Sequence, residues 1–261
     1  MNEDLEKKIK DENINVHRKE AFIYDDAHPE IFNRYEQKRV MNDIEFIAKR
    51  INRKNPSVLD IGCGTGNLSL KFLKFGFSVT GLDISSEMLN VLNEKYILYK
   101  RYNKIKSNSL KLVESDIDAF VSSYEGQKYD VIAFSSVLHH LPDYIKTINN
   151  LWNLLSSGGI IYIVHEPKTK FTLKQSTFWK VFEKIDRLLF RLIILFRNIK
   201  IPSINYKYSD YHEEVDLSKI TDKYTILRYE EYNTCSFAIS SFIENKLNNS
   251  KKLFKIIMEK K

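Results

Sequence analysis

Only two of the 261 residues are cysteine, Cys63 and Cys235, and they stand far apart. Two distant cysteines offer neither a disulfide framework nor metal-ligand spacing, so a reducing, cytoplasmic setting without a bound metal is expected. Long apolar runs are equally scarce. The most apolar stretch, Leu188 to Arg197, is broken by Arg191 and Arg197. That leaves five consecutive apolar residues, where a membrane-spanning helix needs about 20. Residues Met1 to Glu6 are polar and acidic and lack the basic-then-apolar layout of a secretory leader. Internal repeats and low-complexity tracts are absent. What remains is the composition of a globular protein, 43% hydrophobic and 29% charged. The length suits one large core, or a core with an appendage.

Glycine is scarce too, which makes its one concentration informative. Three of the eight glycines, Gly62, Gly64 and Gly66, follow directly on Val58-Leu59-Asp60-Ile61. With Leu68, Leu70, Phe72 and Leu73 at helical spacing beyond them, this predicts a buried strand, a tight turn and a helix. Glycine at alternate positions permits positive φ and close approach of a ligand. The dinucleotide fingerprint sets its third glycine one residue later and needs no preceding acid. Two more apolar segments end in a carboxylate, at Asp83 and at Asp116. A fourth, Tyr129 to Phe134, runs into Ser135-Ser136-Val137-Leu138-His139-His140-Leu141-Pro142-Asp143. Gly158-Gly159 then opens a fifth, Ile160 to Pro167.

From Asn55 to Pro167, these motifs in this order and spacing resemble the class I S-adenosylmethionine-dependent methyltransferases of small-molecule type. The resemblance implies an α/β fold, a Rossmann-like three-layer sandwich. Its seven-stranded sheet would be mostly parallel with the last strand antiparallel. N-terminal helices would precede it, and a helical lid would be inserted after the fifth strand. The resemblance also implies S-adenosyl-L-methionine as cofactor. The loop of Gly62, Gly64 and Gly66 would lie under its amino-acid end, and Asp60 would help hold the ammonium group. Asp83 would take the ribose hydroxyls, Ile84 would pack on the adenine, and Asp116 with Ile117 would lie near the adenine amino group.

Methyl transfer to oxygen or nitrogen can require a base with a pKa near working pH, and histidine is the usual choice. His139 and His140 follow the fourth strand at the carboxyl edge, where open α/β sheets bind ligands. They are the candidate catalytic residues; the competing role is structural, and many members of the family need no base. His165 and Glu166 end the fifth strand on that edge and, with Tyr24 and Tyr35, are candidates for substrate or lid contact. Arg39 joins the two tyrosines as a residue within reach of the methionine end.

The net charge of +7 is uneven. Residues 1–55 are balanced, residues 56–167 carry −1, and residues 168–261 carry 19 basic against 11 acidic side chains, or +8. An anionic partner near the C-terminal third would explain this, as would a lysine-rich composition. Within the insertion, about 168–212, residues 178–199 combine Phe and Leu with Lys180, Lys184, Arg187, Arg191 and Arg197. That pattern fits a lid over the acceptor or peripheral contact with a membrane.

Residues 17–51 read as helices, with a start at His28-Pro29-Glu30. Glu213 to Thr221 reads as a helix. Tyr224 to Tyr232 and Cys235 to Phe242 read as the last two strands around Asn233-Thr234, and Lys246 to Lys261 as a basic amphipathic tail. The expected organisation is a helical cap over 1–54 and a methyltransferase domain over 55–261. The expected activity is methylation of a small organic acceptor, lipid-like or anionic. RNA methylation and a non-catalytic S-adenosylmethionine-binding role are the alternatives, and nucleic acid is not the expected partner.

Overall fold

The computed structural model describes residues 3–106, 109–168, 177–199, 215–218, 221–247 and 252–261. Four helices come first: α1 (Glu3–Glu20), the single turns α2 (Tyr24–Ala27) and α3 (Pro29–Phe32), and α4 (Arg34–Ile51). The His28-Pro29-Glu30 signal opens only the short α3. The long α4 starts behind Asn33, whose side chain accepts from the backbone N–H groups of Tyr35 and Glu36 at 2.9 and 3.1 Å. Val40, Ile44, Ile47 and Ile51 recur at helical spacing and are buried on one face.

Strands and helices then alternate: β1 (Ser57–Ile61), α5 (Ser69–Lys74), β2 (Ser78–Asp83), α6 (Ser86–Arg101), β3 (Leu110–Glu114), α7 (Ile117–Ser123), β4 (Tyr129–Ser135), α8 (Tyr144–Leu151) and β5 (Leu155–Pro167). After β5 come α9 (Thr177–Phe196), β6 (Tyr224–Tyr232), α10 (Ala238–Leu247) and β7 (Leu253–Lys260). The seven strands form one sheet in the order β3-β2-β1-β4-β5-β7-β6. β1 to β5 pair in parallel, and β7 lies antiparallel between β5 and β6. Between β1 and β4 the strand order reverses, and the crevice at the carboxyl ends there is where such sheets bind ligands.

Side chains alternate across the sheet with period two. Val131, Ala133, Ile160, Tyr162 and Val164 join a core built with α4, α5 and α6. Ile132, Phe134, Ile161 and Ile163 join the core on the other face, with Phe120 of α7 and with Ile148 and Leu151 of α8. Both faces are therefore covered, giving the expected three layers.

Three expectations for the last third are corrected. Cys235 to Phe242 is not a strand: after a short loop it forms α10, which turns Ser241 and Glu244 inward and leaves Ile239 and Phe242 exposed. The stretch expected as a basic amphipathic tail, Lys246 to Lys261, instead forms over Leu253 to Lys260 the antiparallel strand β7, with Ile256, Ile257 and Met258 buried. Of the helix expected over 213–221, the described residues form an isolated bridge from Val215 to Lys168 and a 3₁₀ turn beginning at Thr221. Residues 213–214 and 219–220 lie outside the described residues, as do 169–176 and 200–212 of the insertion.

Candidate active site

The carboxyl ends of β1, β2 and β4 open into a cleft lined by Gly62, Gly64, Asp83, Ile84, Asp116, Ile117, Ser135 and His140. Helix α1 closes its far side with Ile9, Lys10, Asn13 and His17. Asp83 is fixed by two backbone donors, Gly64 to Oδ2 at 2.8 Å and Ser85 to Oδ1 at 2.9 Å. Burial raises its pKa, and the charge of His17 partly opposes the rise. The same burial lowers the pKa of His17, with Asp83 and Glu20 opposing. Gly64 has φ +49°, and a Cβ there would meet nothing within 4 Å, so the loop presents bare backbone to open space. Gly66, at φ +95°, is glycine for another reason: a Cβ would lie 2.2 Å from Leu92 Cδ1. It faces the far side of the loop and does not line this cleft.

Asp60 lies behind the loop, where its Oδ2 accepts from the Ser69 hydroxyl at 2.6 Å. Burial pushes its carboxyl up to about 7, against the hydrogen bonds from Ser69. With Tyr24, Gly62, Gly64 and Ser135 it lines a small extension of the cleft. Asp116 caps α7 through the N–H groups of Asp118 and Ala119, and pairs with Lys10 at 2.9 Å. A second pair, Arg18 with Glu87 at 2.9 Å, ties α1 to α6.

A second cleft adjoins the first and shares Asn13, His17, Tyr24, Ser136 and His140 with it. It adds Glu20, His28, Glu30 and His139. The Glu166 carboxylate, fully buried, organises this side. Its Oε1 accepts from the N–H groups of Val137 and Leu138 at 2.7 and 2.9 Å. Its Oε2 accepts from the His139 N–H at 3.2 Å and lies 2.8 Å from His139 Nδ1. The turn Leu138–His140 is thereby held rigidly, with the two imidazoles 4.0 Å apart between ring centroids. His28 sits between Glu20 at 3.3 Å and Glu30 at 3.1 Å. Burial opposes its charge, yet the two carboxylates lift its pKa to about 9. Tyr24 lies 4.3 Å from the His28 ring, and burial followed by the nearby acids raises its phenol.

Other sequence candidates sit elsewhere. Tyr35 packs against Phe242 of α10 and lines neither cleft. His165 and Glu166 are buried and support the site from behind rather than line it. Arg39 is buried beside Glu36 and stacks on the Tyr232 ring at 3.9 Å. The sequence reading missed His17, Glu20 and His28. The signal was faint: four of six histidines line one cleft, but His17 and His28 are separated from His139 and His140 by four strands of sequence. Among the described residues no group of side chains is arranged to hold a metal ion.

A glycine loop bonded to a buried strand-terminal carboxylate, at the reversal point of a 3-2-1-4-5-7-6 sheet, is the arrangement of a class I S-adenosylmethionine-dependent methyltransferase. Comparison with known proteins gives the family. Residues 32–220 match the model of a methyltransferase domain, and the chain belongs to that family. A ubiquinone biosynthesis O-methyltransferase from Coxiella burnetii is 29% identical over 119 residues, 46% of this chain and 47% of the relative. Its counterpart from Pasteurella multocida is 32% identical over 123 residues, 46% of this chain and 50% of the relative. The chain thus spans about half the length of the curated relatives it matches. Among solved structures, magnesium protoporphyrin IX methyltransferase from Synechocystis PCC 6803 with bound S-adenosylmethionine covers 100% of both chains, at 17% identity and TM-score 0.56. The plantazolicin methyltransferase with bound S-adenosylhomocysteine covers 98% of this chain and 99% of its own, at 17% identity and TM-score 0.52.

Proposed function

We propose that this chain transfers a methyl group from S-adenosyl-L-methionine to a small organic acceptor, lipid-like or anionic, seated in the histidine-lined cleft. One observation carries the reading: the glycine-loop cleft and the histidine cleft share a wall of His17, Tyr24, Ser136 and His140. A donor in the first would face an acceptor in the second.

The residues fit the cofactor. Asp83, Ile84, Asp116 and Ile117 would hold its nucleoside, and the open space over Gly64 leaves room for the chain beyond it. When bound, S-adenosylmethionine supplies a methyl group on a positively charged sulfur. The protein supplies positioning and electrostatics. Glu166 draws the imidazole proton of His139 to Nδ1, which leaves Nε2 as the basic nitrogen. Nε2 would take the proton of an acceptor O–H or N–H as its lone pair attacks. His28, held charged between Glu20 and Glu30, fixes both carboxylates on that side of the cleft. O-methylation by the ubiquinone relatives supports an oxygen acceptor. Helix α1, pinned by the Lys10–Asp116 and Arg18–Glu87 pairs, would act as the cap over both ligands.

The reading includes peripheral membrane contact through residues 178–199. Helix α9 turns its acids inward: Asp186 accepts from Ser236 N–H, and Glu183 pairs with Lys252. Its outward face carries Phe178, Val181, Ile185, Leu189 and Phe196, all exposed, Phe196 at 92%. Lys180, Lys184, Arg187 and Arg191 flank that apolar stripe on one side. An apolar stripe with a basic flank complements an anionic lipid surface, whereas two such faces would repel each other in a self-pair.

Calorimetry should show binding of both S-adenosylmethionine and S-adenosylhomocysteine, and binding of neither would sink the proposal. Labelled methyl groups should enter the lipid or small-metabolite fraction of a cell extract. Label in RNA alone would overturn the acceptor class, and no label anywhere would point to a non-catalytic role. His139→Gln should lower turnover by about 100-fold with S-adenosylhomocysteine affinity unchanged.

A further inference from the structure

Behind the two clefts lies a buried chain of polar groups that the reaction outlined above does not use. Ser135, the last residue of β4, lines both the main cleft and its extension beside Asp60 and Gly62. Its Oγ is 3.0 Å from His165 Nδ1. On the other edge of that imidazole, Nε2 lies 3.5 Å from Glu36 Oε2. Glu36 is fully buried and His165 is 4% exposed. Apart from this approach and the Arg39 guanidinium at 3.3 Å, the Glu36 oxygens make no hydrogen bond among the described residues. A buried carboxylate with so few donors must keep a proton or positive charge facing it.

The backbone is strained at the same place. His165 has φ +60° and Ser136 φ +55°, a region that costs non-glycine residues of order 1–3 kcal/mol each. Such strain persists only where the surroundings over-determine it, and here they do. The His165 N–H donates to the Tyr232 hydroxyl at 2.9 Å, its carbonyl accepts from Ser136 Oγ at 3.2 Å, and Ser136 N–H donates to the Val164 carbonyl at 3.1 Å. All of this serves to hold one imidazole between a carboxylate and a hydroxyl.

We infer that Glu36 and His165 are positioning residues that make the Ser135 hydroxyl a hydrogen-bond acceptor for the ammonium group at the amino-acid end of the cofactor. The logic is one of proton placement. The Glu36 carboxylate assigns the imidazole proton to Nε2, because a bare Nε2 would set lone pair against lone pair. Nδ1 is then bare and accepts the Ser135 O–H, so the remaining Ser135 lone pairs are what the cleft meets. A hydroxyl whose proton is committed elsewhere can only accept, and an ammonium group can only donate. The position suits that end: besides the main cleft, Ser135 lines the extension with Asp60, Gly62 and Gly64, which Asp116 and Ile117 do not line. The inference rests on the cofactor reading above.

Two ligands separate the possibilities, S-adenosylhomocysteine and 5′-methylthioadenosine, which has the nucleoside and sulfur but no amino-acid end. Calorimetry on the full chain should show Ser135→Ala weakening S-adenosylhomocysteine about tenfold while 5′-methylthioadenosine stays within about twofold. Ser135→Thr, which keeps the hydroxyl, should recover most of the loss. His165→Asn suits the positive φ and cannot bridge both partners. It should reproduce the loss, and added to Ser135→Ala it should cost nothing more. Glu36→Gln should act in the same direction. Unaltered S-adenosylhomocysteine binding by Ser135→Ala, equal losses for both ligands, or additive losses in the double variant would each overturn the inference. Because Ser135→Ala removes only a hydroxyl at the cleft wall, it keeps the test open even where a Glu36 or His165 variant fails to fold. A wild-type chain that bound neither ligand would instead overturn the cofactor reading.

Discussion

Two titratable side chains beside the clefts both lower stability as pH rises, over different pH windows. His28 is held charged by Glu20 and Glu30, with its pKa lifted to about 9 from 6.5. Its contribution is full below pH 6.5 and is lost as pH rises through 9. Asp60 is lifted by burial to about 7 from 3.8, so the native state keeps a proton that the unfolded chain releases. That favours the native state at low pH and costs stability from about pH 4 to 7, by at most about 4 kcal/mol. Denaturant unfolding measured across pH should therefore lose its slope between 6.5 and 9 in His28→Gln, and between 4 and 7 in Asp60→Asn. A wild-type slope retained in either variant would contradict the assignment. Asp60 was legible in the sequence because a strand-terminal acid before G-x-G-x-G is a local pattern. His28 was not, since its partners Glu20 and Glu30 acquire meaning only once α1 folds back over the cleft.

At the scale of the element, α9 is the outlier. Most helices here bury their apolar stripe, while α9 buries Asp186 and Ile194 and exposes large side chains along its length. If that face meets anionic lipid, the chain should co-sediment with vesicles rich in anionic lipid and less with neutral ones. Each basic residue near such a surface adds about 1 kcal/mol, so Arg191→Glu should weaken vesicle binding roughly 30-fold. Equal sedimentation of Arg191→Glu and wild type would remove the membrane from the reading. Polarity reversal also explains where pattern-reading failed. Helix α10 turns Ser241 and Glu244 inward and leaves Ile239 and Phe242 outside, so its apolar residues alternate like a strand. In β7 the apolar residues Phe254, Ile256, Ile257 and Met258 do not alternate with polar ones, because both faces of that strand are covered, so the stretch read as a tail and not as a strand. Up to β5 the sheet is covered on both faces, with only the edge strand β3 partly exposed, and there the pattern named every strand.

For the whole molecule, the reversal of strand order between β1 and β4 sets the glycine-loop cleft, and β5 brings Glu166 behind the histidine cleft. β7 closes the arrangement by joining β5 to β6. Removing residues 253–261 would strip Ile256, Ile257 and Met258 from the two cores and leave two strand edges unpaired. The shortened chain should aggregate on expression and, if recovered, bind a hydrophobic dye and scatter light. A soluble, cooperatively unfolding product would show that β7 is dispensable.

That placement has a temporal side. The strand that occupies the middle of one half of the sheet is encoded after the two strands it joins. On the ribosome, β1 to β5 can assemble as they emerge, but β5 must wait with an open edge through the synthesis of nearly a hundred residues, from Lys168 to Lys252 and on into β7. Throughout that interval His165 and Glu166 sit on an edge strand. The strand that covers the edge beside Glu166 is thus drawn from the last-made stretch of the described chain, and β5 has a neighbour on both sides only once β7 is paired.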